Sequence, residues 1–216
     1  MSFFWMAGLI TMCLSRCGEG GGKVYIKSGI YIMKVDKTPI DGLLVIHPEV
    51  FKDGRGYFYE SYSKKKYSEY GIDIDFVQDN ISKSSKGVIR GLHYQAGEGA
   101  QAKLCDVIKG TVLDVAVDIR FGSSTFGKYF SIELSEENHL QLYIPAGFAH
   151  GFSVLSLEAL FHYKCSNYYS KPDERAILCN DPDLNIDWMV NNPVISGKDK
   201  LAGLFKNIEK DFIFKT

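Results

Sequence analysis

At 216 residues the chain is long enough to bury one full hydrophobic core, with room for an arm beside it. Its 25 basic and 26 acidic residues leave a formal net charge of -1, so no excess of positive charge exists to carry nucleic-acid or membrane binding, and an anionic ligand has to be met by local groups. Fourteen Phe and thirteen Tyr favour strands and ring-lined pockets over helical bundles, while five Cys, odd in number and widely spaced, argue against a disulfide framework and for a reducing cytoplasm.

Residues 1–32 differ in character from the rest of the chain. The run from Met1 to Leu14 is apolar but too short to span a membrane, it lacks the basic start of a secretory signal, and the Gly-rich piece Gly18-Glu-Gly-Gly-Gly-Lys23 comes soon after it. The expectation is an N-terminal extension, either a disordered arm or a start misplaced upstream of Met33, taking no part in the chemistry of a domain that covers 33–216. Cys13 and Cys17 have no second pair or His cluster nearby and are not expected to hold zinc.

From Lys34 the pattern is one of short strands and turns. Residues 43–46 read as a buried strand, and 50–51 lead through the turn Lys52-Asp-Gly-Arg-Gly56 into 57–62. The stretch from Ser63 to Tyr70, closed by Gly71, starts on a capping residue and ends on a C-cap glycine, which predicts one short helix. A strand over 76–80 and a polar Ser/Lys turn come next, then strands over 88–94, 103–109, 111–119, 128–134, 140–144, 151–155 and 159–169. Periodicity near two and a spacing of roughly ten residues predict an all-β fold, a double-sheet barrel or sandwich with a few short helices. Val112-Leu-Asp-Val-Ala-Val-Asp-Ile119 is apolar on both faces except at Asp114 and Asp118, as a central strand would be. Ser196 opens a short C-terminal helix reaching Leu204.

The chemistry concentrates in Gly87-Val-Ile-Arg-Gly-Leu-His-Tyr-Gln95 and Gln101-Ala-Lys-Leu104. Arg90, His93 and Lys103 combine a guanidinium that can grip phosphate, an imidazole that titrates near neutrality and a point positive charge. That set suits proton transfer beside a carbonyl, with His93 taking the proton and Lys103 holding the developing oxyanion. The plain alternative is a Gly-rich surface turn with scattered charges. Gly91 interrupts the strand pattern, so alternation alone does not fix which of these side chains face inward. Further on, Pro145-Ala-Gly-Phe-Ala-His150 matches the P-x-G-x-x-H half-motif of cupin barrels. Metal-binding cupins add two His one residue apart and a later Glu, whereas here the corresponding place reads His93-Tyr94-Gln95. The ligand set is short, and the expectation is a cupin or jelly-roll barrel with no metal and no cofactor, its His residues left for acid-base work.

Taken in order with Ala100-Gln-Ala-Lys-Leu104, Ile144-Pro-Ala-Gly-Phe-Ala-His-Gly-Phe152, Tyr163-Lys-Cys-Ser-Asn-Tyr-Tyr169 and Asn180-Asp-Pro-Asp-Leu184, these motifs resemble the dTDP-4-dehydrorhamnose 3,5-epimerase family from about Met33 to near the C-terminus. The resemblance implies a metal-free cupin homodimer that inverts two carbons of a dTDP-linked 4-keto-6-deoxy sugar. The chemistry agrees, because a 4-keto group acidifies the hydrogens on C3 and C5, each carbanion being an enolate. Epimerisation then needs a base on one face of the ring, an acid on the other and a cation at the oxygen. The resemblance implies a catalytic set of His93 as base, Asp199 as its carboxylate partner, Tyr163 as acid and Lys103 at the enolate oxygen, where one donor contributes roughly 3–4 kcal/mol. Substrate binding is expected from Arg55, Glu60, Gln78, Asn80, Arg90, His150, Tyr169 and Lys200, with Phe51, Phe58 and Tyr169 as candidates to stack on thymine. In this family the N-terminal strand commonly crosses to the partner subunit, which would let Arg55 serve the neighbour's pocket.

Each assignment has a duller rival. Tyr163 could be core packing, Lys103 an exposed edge-strand lysine, Asp199 half of a capping box with Ser196, Arg55 a solvated turn charge and His150 a turn histidine bonded to backbone. Ile81 stands where the family usually has His, and Lys200 where an Arg often follows the Asp. The rival functions are a C3-only epimerase or a 3,4-ketoisomerase of a related dTDP sugar and, from another class, a non-catalytic sugar-binding cupin.

Overall fold

The computed structural model describes residues 33–214, so the expected extension over 1–32, with Cys13 and Cys17, lies outside the described residues. The strands are β1 (Lys34–Lys37), β2 (Leu44–His47), β3 (Val50–Asp53), β4 (Gly56–Tyr59), β5 (Gln78–Ser85), β6 (Val88–Gln95), β7 (Lys103–Lys109), β8 (Thr111–Asp118), β9 (Tyr129–Ser135), β10 (Gln141–Ile144), β11 (Phe148–Val154), β12 (Glu158–Cys165), β13 (Glu174–Ala176) and β14 (Val194–Ile195). Two short α-helices join them, α1 (Lys64–Ser68) and α2 (Gly197–Lys200). One sheet runs β1-β2-β10-β7-β12-β5 and the other β13-β6-β11-β8-β9, with β14 added parallel to β6, while β3 and β4 form a separate hairpin. This is the all-β double-sheet jelly roll that the strand spacing predicts.

Burial follows the alternation of each strand. Between the sheets lie Val45, Val107, Leu142 and Phe161 of the first against Val112, Ala116, Phe148 and Phe152 of the second. The opposite face of β8, carrying Leu113, Val115 and Val117, is covered by Ile177, Leu184 and Trp188 of the C-terminal segment. That double burial is why β8 reads as apolar on both faces. On the outer side of the first sheet, Ile46 and Leu104 are capped by Tyr67 and Ile72 around α1. The two aspartates of β8 are fully buried and both are partnered. Burial pushes Asp118 up, but hydrogen bonds from Arg120, Ser123 and Thr125 outweigh it and hold the carboxyl below its usual range.

Several boundaries differ from those expected. Residues 81–85, read as a polar turn, continue β5, because on this edge strand the exposed side chains alternate with inward ones and polarity marks only the solvent face. The α1 helix stops at Ser68, and Ser63 makes no side-chain cap. β12 ends at Cys165, four residues before Tyr169, and α2 is a single turn.

One irregularity sets the site. Opposite β11, β6 pairs His93 with His150 but Arg90 with Phe152, so the register slips by one residue between them. In a regular strand Arg90 and His93 would face opposite sides. The slip falls at Gly91, which has φ +129° and packs directly on Gly151: a Cβ at residue 91 would lie 2.5 Å from Gly151 Cα and 2.8 Å from the His150 carbonyl oxygen. The bulge turns Arg90 and His93 to the same cavity.

Candidate active site

A cavity of about 590 Å³ opens between the two sheets. Tyr163 and Lys103 reach it from β12 and β7 of the first sheet, Arg90, His93 and His150 from β6 and β11 of the second, and Asp199 from α2. Gln78, Asn80 and Tyr169 complete the expected residues that line it.

His93 Nε2 lies 2.7 Å from Asp199 Oδ1. Asp199 is buried, and its position comes from the one-turn helix, whose N-cap Ser196 accepts the Asp199 backbone N–H at 3.0 Å. The cap therefore holds the backbone of residue 199 while its carboxylate turns to the imidazole. With Nε2–H donating to Asp199, the lone pair sits on Nδ1, which has no hydrogen-bond partner among the described residues. An imidazole oriented in this way can accept a proton at Nδ1 and then hold the positive charge against the carboxylate.

Tyr163 lines the same cavity from the other sheet. Burial, with the neighbouring thiols of Cys165 and Cys105, pushes its phenol up to about 12, so it is a protonated donor at neutral pH. Lys103 Nζ stands 5.8 Å from the centroid of the Tyr163 ring and makes no ion pair among the described residues, which leaves its charge to a ligand. Arg90 is held by its Nε donating to Ser84 Oγ at 2.9 Å and has no carboxylate partner there either. His150 Nε2 donates to Asp114 Oδ1 at 2.7 Å, and burial pushes this imidazole down, so it enters the cavity neutral. It belongs to β11 and bonds a carboxylate, so the picture of a turn histidine bonded to backbone does not describe it.

Gln78 Nε2 donates to Asn80 Oδ1 at 3.1 Å, and Gln78 Oε1 accepts the Tyr169 backbone N–H at 3.0 Å. The Tyr169 hydroxyl donates to Glu174 Oε2 at 3.1 Å, and Glu174 is paired with Lys198 at 2.6 Å. Glu174 and Lys198 line the cavity, and sequence reading missed both. Lys198 directly precedes Asp199, between the two ends of the Ser196–Asp199 capping box. Glu174 sits in a three-residue strand with no periodic signal.

The other expected residues lie elsewhere in the chain. Arg55, at the tip of the β3–β4 hairpin, is paired with Asp53 at 2.5 Å, its side chain 90% exposed. Glu60 pairs with Lys66 at 3.1 Å, and Phe51 and Phe58 stand 51% and 69% exposed on the same hairpin. Lys200 is exposed, since on a single helical turn the residue after the inward-facing Asp199 points away.

Cys105, Asp114 and His150 bring three donor atoms within 4.8 Å of one another. The 2.7 Å contact between His150 and Asp114 is a direct hydrogen bond with no space for an ion between the two atoms, because ligands each about 2.0–2.1 Å from zinc stand well apart from one another. Burial also pushes the Cys105 thiol up, away from the thiolate that a metal requires. The cluster is a hydrogen-bonded pair beside a thiol.

The dTDP-4-dehydrorhamnose 3,5-epimerase family model matches residues 37–207. The dTDP-4-dehydrorhamnose 3,5-epimerase of Shigella flexneri is 55% identical over 168 residues, 77% of this chain and 93% of that protein. The crystal structure of the enzyme of the same name from Elizabethkingia anophelis is 53% identical with a TM-score of 0.79, the match covering 84% of this chain and 100% of that one. That of the dTDP-6-deoxy-D-glucose-3,5-epimerase of Legionella pneumophila, in complex with dTDP-4-keto-L-rhamnose, is 48% identical with a TM-score of 0.82 over 85% and 100% of the two chains.

Proposed function

The chain belongs to the dTDP-4-dehydrorhamnose 3,5-epimerase family, and from that premise we propose how its own residues carry the reaction. The enzyme is an isomerase that inverts C3 and C5 of dTDP-4-dehydro-6-deoxy-D-glucose to give dTDP-4-dehydro-L-rhamnose. His93 removes the proton from each carbon in turn, its imidazolium held against Asp199. Lys103 stabilises the enolate oxygen formed at C4, Tyr163 returns a proton from the opposite sheet, and before the second inversion the imidazolium gives its proton to solvent while the phenolate regains one from it. Neutral His150 accepts a sugar hydroxyl, Arg90 meets the diphosphate, and Gln78, Asn80 and Tyr169 hold the nucleotide, with Glu174 and Lys198 beside them. The observation that carries this reading is the His93–Asp199 pair in a cavity whose facing wall supplies Tyr163 and Lys103.

The enzyme works as a cytoplasmic homodimer in which the hairpin of one subunit delivers Arg55 and Glu60 to the pocket of the other. Supporting this, the hairpin carries Phe51, Tyr57 and Phe58 exposed, and Arg55 lies away from its own cavity. For the compartment, Cys105, Cys165 and Cys179 are free thiols, and no helix among the described residues is long and apolar enough to cross a membrane. The catalytic domain is 33–216, and residues 1–32 take no part in the reaction. Mixing inactive Arg55→Ala and His93→Ala chains tests the shared pocket: recovered turnover supports it, and none contradicts it.

Incubation with the 4-keto substrate in heavy water, followed by NMR, tests the reaction. Deuterium at both C3 and C5 with the L-configured product is expected. Label at C3 alone would make it the narrower epimerase, and tight binding without label would make it a sugar-binding cupin.

A further inference from the structure

Gln95 occupies the place where metal-binding cupins carry their second His, and its side chain has a different employment here. It is buried, and both ends of its amide serve one residue: Nε2 donates to the Ser170 carbonyl at 3.1 Å, and Oε1 accepts the Ser170 N–H at 2.8 Å. The backbone of Gln95 lies directly opposite Glu174 in the pairing of β6 with β13, and the neighbouring Ala96 N–H donates to the Asp173 carbonyl at 2.8 Å. Residues 170–174 are thus tied at both ends to residues 95 and 96. This short loop separates Tyr169 from Glu174, whose side chains are joined by the 3.1 Å hydrogen bond across it.

Tyr169 is 53% exposed, so little apolar packing holds its ring in place. Its position rests on polar ties: its own N–H to Gln78, its hydroxyl to Glu174, and the fixing of the next residue by Gln95. A buried amide satisfied at both ends is well suited to this, since a carboxylate has no donor for the Ser170 carbonyl and an aliphatic chain has neither group.

We propose that Gln95 is a positioning residue for nucleotide binding: its two-point clamp on Ser170 holds the Tyr169–Glu174 wall in the geometry that receives the dTDP end of the substrate. This rests on the reading that Tyr169 contacts the nucleotide. Gln95 lines the cavity, but both polar ends of its amide are taken up by Ser170, so its loss should weaken ground-state and transition-state binding alike and leave chemistry at saturation intact.

The test is dTDP affinity by calorimetry beside kcat and KM, in Gln95→Met, Gln95→Glu, Tyr169→Ala and the double variant Gln95→Met/Tyr169→Ala. Gln95→Met, close in volume, should raise both the dTDP Kd and KM about tenfold, as expected for two lost neutral hydrogen bonds, with kcat within about threefold. Gln95→Glu should bind poorly at neutral pH and recover as pH falls, because a protonated carboxyl can again donate to Ser170. In the Tyr169→Ala background, Gln95→Met should cost less than about threefold more, since it acts through that side chain. Unchanged affinity in Tyr169→Ala would remove the nucleotide reading beneath the clamp. Weakened binding in Tyr169→Ala with unchanged binding in Gln95→Met would overturn the clamp alone, as would a fall in kcat matching the loss of affinity.

Discussion

His93 and Asp199 are 106 positions apart in the chain, and their side chains meet with Nε2 2.7 Å from Oδ1. In the proposed reaction the carboxylate fixes the tautomer that leaves Nδ1 free and stabilises the imidazolium formed when a proton arrives. Asp199→Asn preserves size but removes the charge. It should lower kcat about 10²–10⁴-fold while changing KM far less, because the lost interaction strengthens only as the ring charges. Equal kcat in the variant and the parent would show that the pair is structural.

Tyr163 and His93 line one cavity from different sheets, the arrangement that the proposed acid and base need in order to act on opposite faces of a sugar ring. With its phenol pushed up to about 12, chiefly by burial, Tyr163 stays protonated through the physiological range. Tyr163→Phe should keep measurable solvent exchange at the carbons next to the ketone but lose inverted product, since proton removal survives without the opposite donor. Undiminished formation of the L-sugar would assign the acid to another group.

The bulge at Gly91 makes a sharper structural prediction. Alanine there meets both an unfavourable positive φ and the backbone of Gly151, neither relieved by rotating a side chain. Gly91→Ala should destabilise the fold by more than about 2 kcal/mol in denaturant titration, and any folded fraction should lose activity because Arg90 and His93 no longer share a face. Parent-like stability would mean that the close approach of β6 to β11 is dispensable.

This same glycine marks the limit of what is legible in the sequence. Alternation places most strands, and the double burial of β8 can be read from its valines, because core and solvent faces differ in composition. Alternation cannot place Arg90 and His93 on one side, since a bulge adds a residue without a hydrophobic signature. Edge strand β5 hides behind the polarity of its solvent face. Lys198 escapes notice beside Lys200 because a single helical turn has too few residues to display a periodicity. Arg55 and Glu60 lie away from the cavity of their own chain, because the β3–β4 hairpin that carries Arg55 stands apart from both sheets, and a motif match alone does not show how far a hairpin projects.

On the outer face of the first sheet, His162 Nδ1 lies 2.9 Å from Asp106 Oδ1, with Asp79 at 3.8 Å from Nε2 and Lys164 paired to Asp79 at 2.8 Å. The hydrogen bond to Asp106 raises the imidazole above its ordinary value against the opposing effect of burial. A raised value in the folded state means that the charged pair contributes its full stability below about pH 6.5, the unfolded value, and that this is lost as pH rises through the folded value. The stability difference between the parent and His162→Gln should therefore be greatest in mild acid and shrink toward alkaline pH. A difference independent of pH between 5 and 9 (roughly the span in which a perturbed histidine titrates) would contradict the charged pair.

The central claim is that one imidazole serves both carbons. The direct measurement is deuterium incorporation at C3 and at C5, followed separately by NMR in heavy water, for the parent enzyme and for His93→Ala. Loss of both labels together, by at least about 10²-fold in rate, is the predicted result. Persistence of parent-like exchange at either carbon would contradict it, because a second base would then be at work.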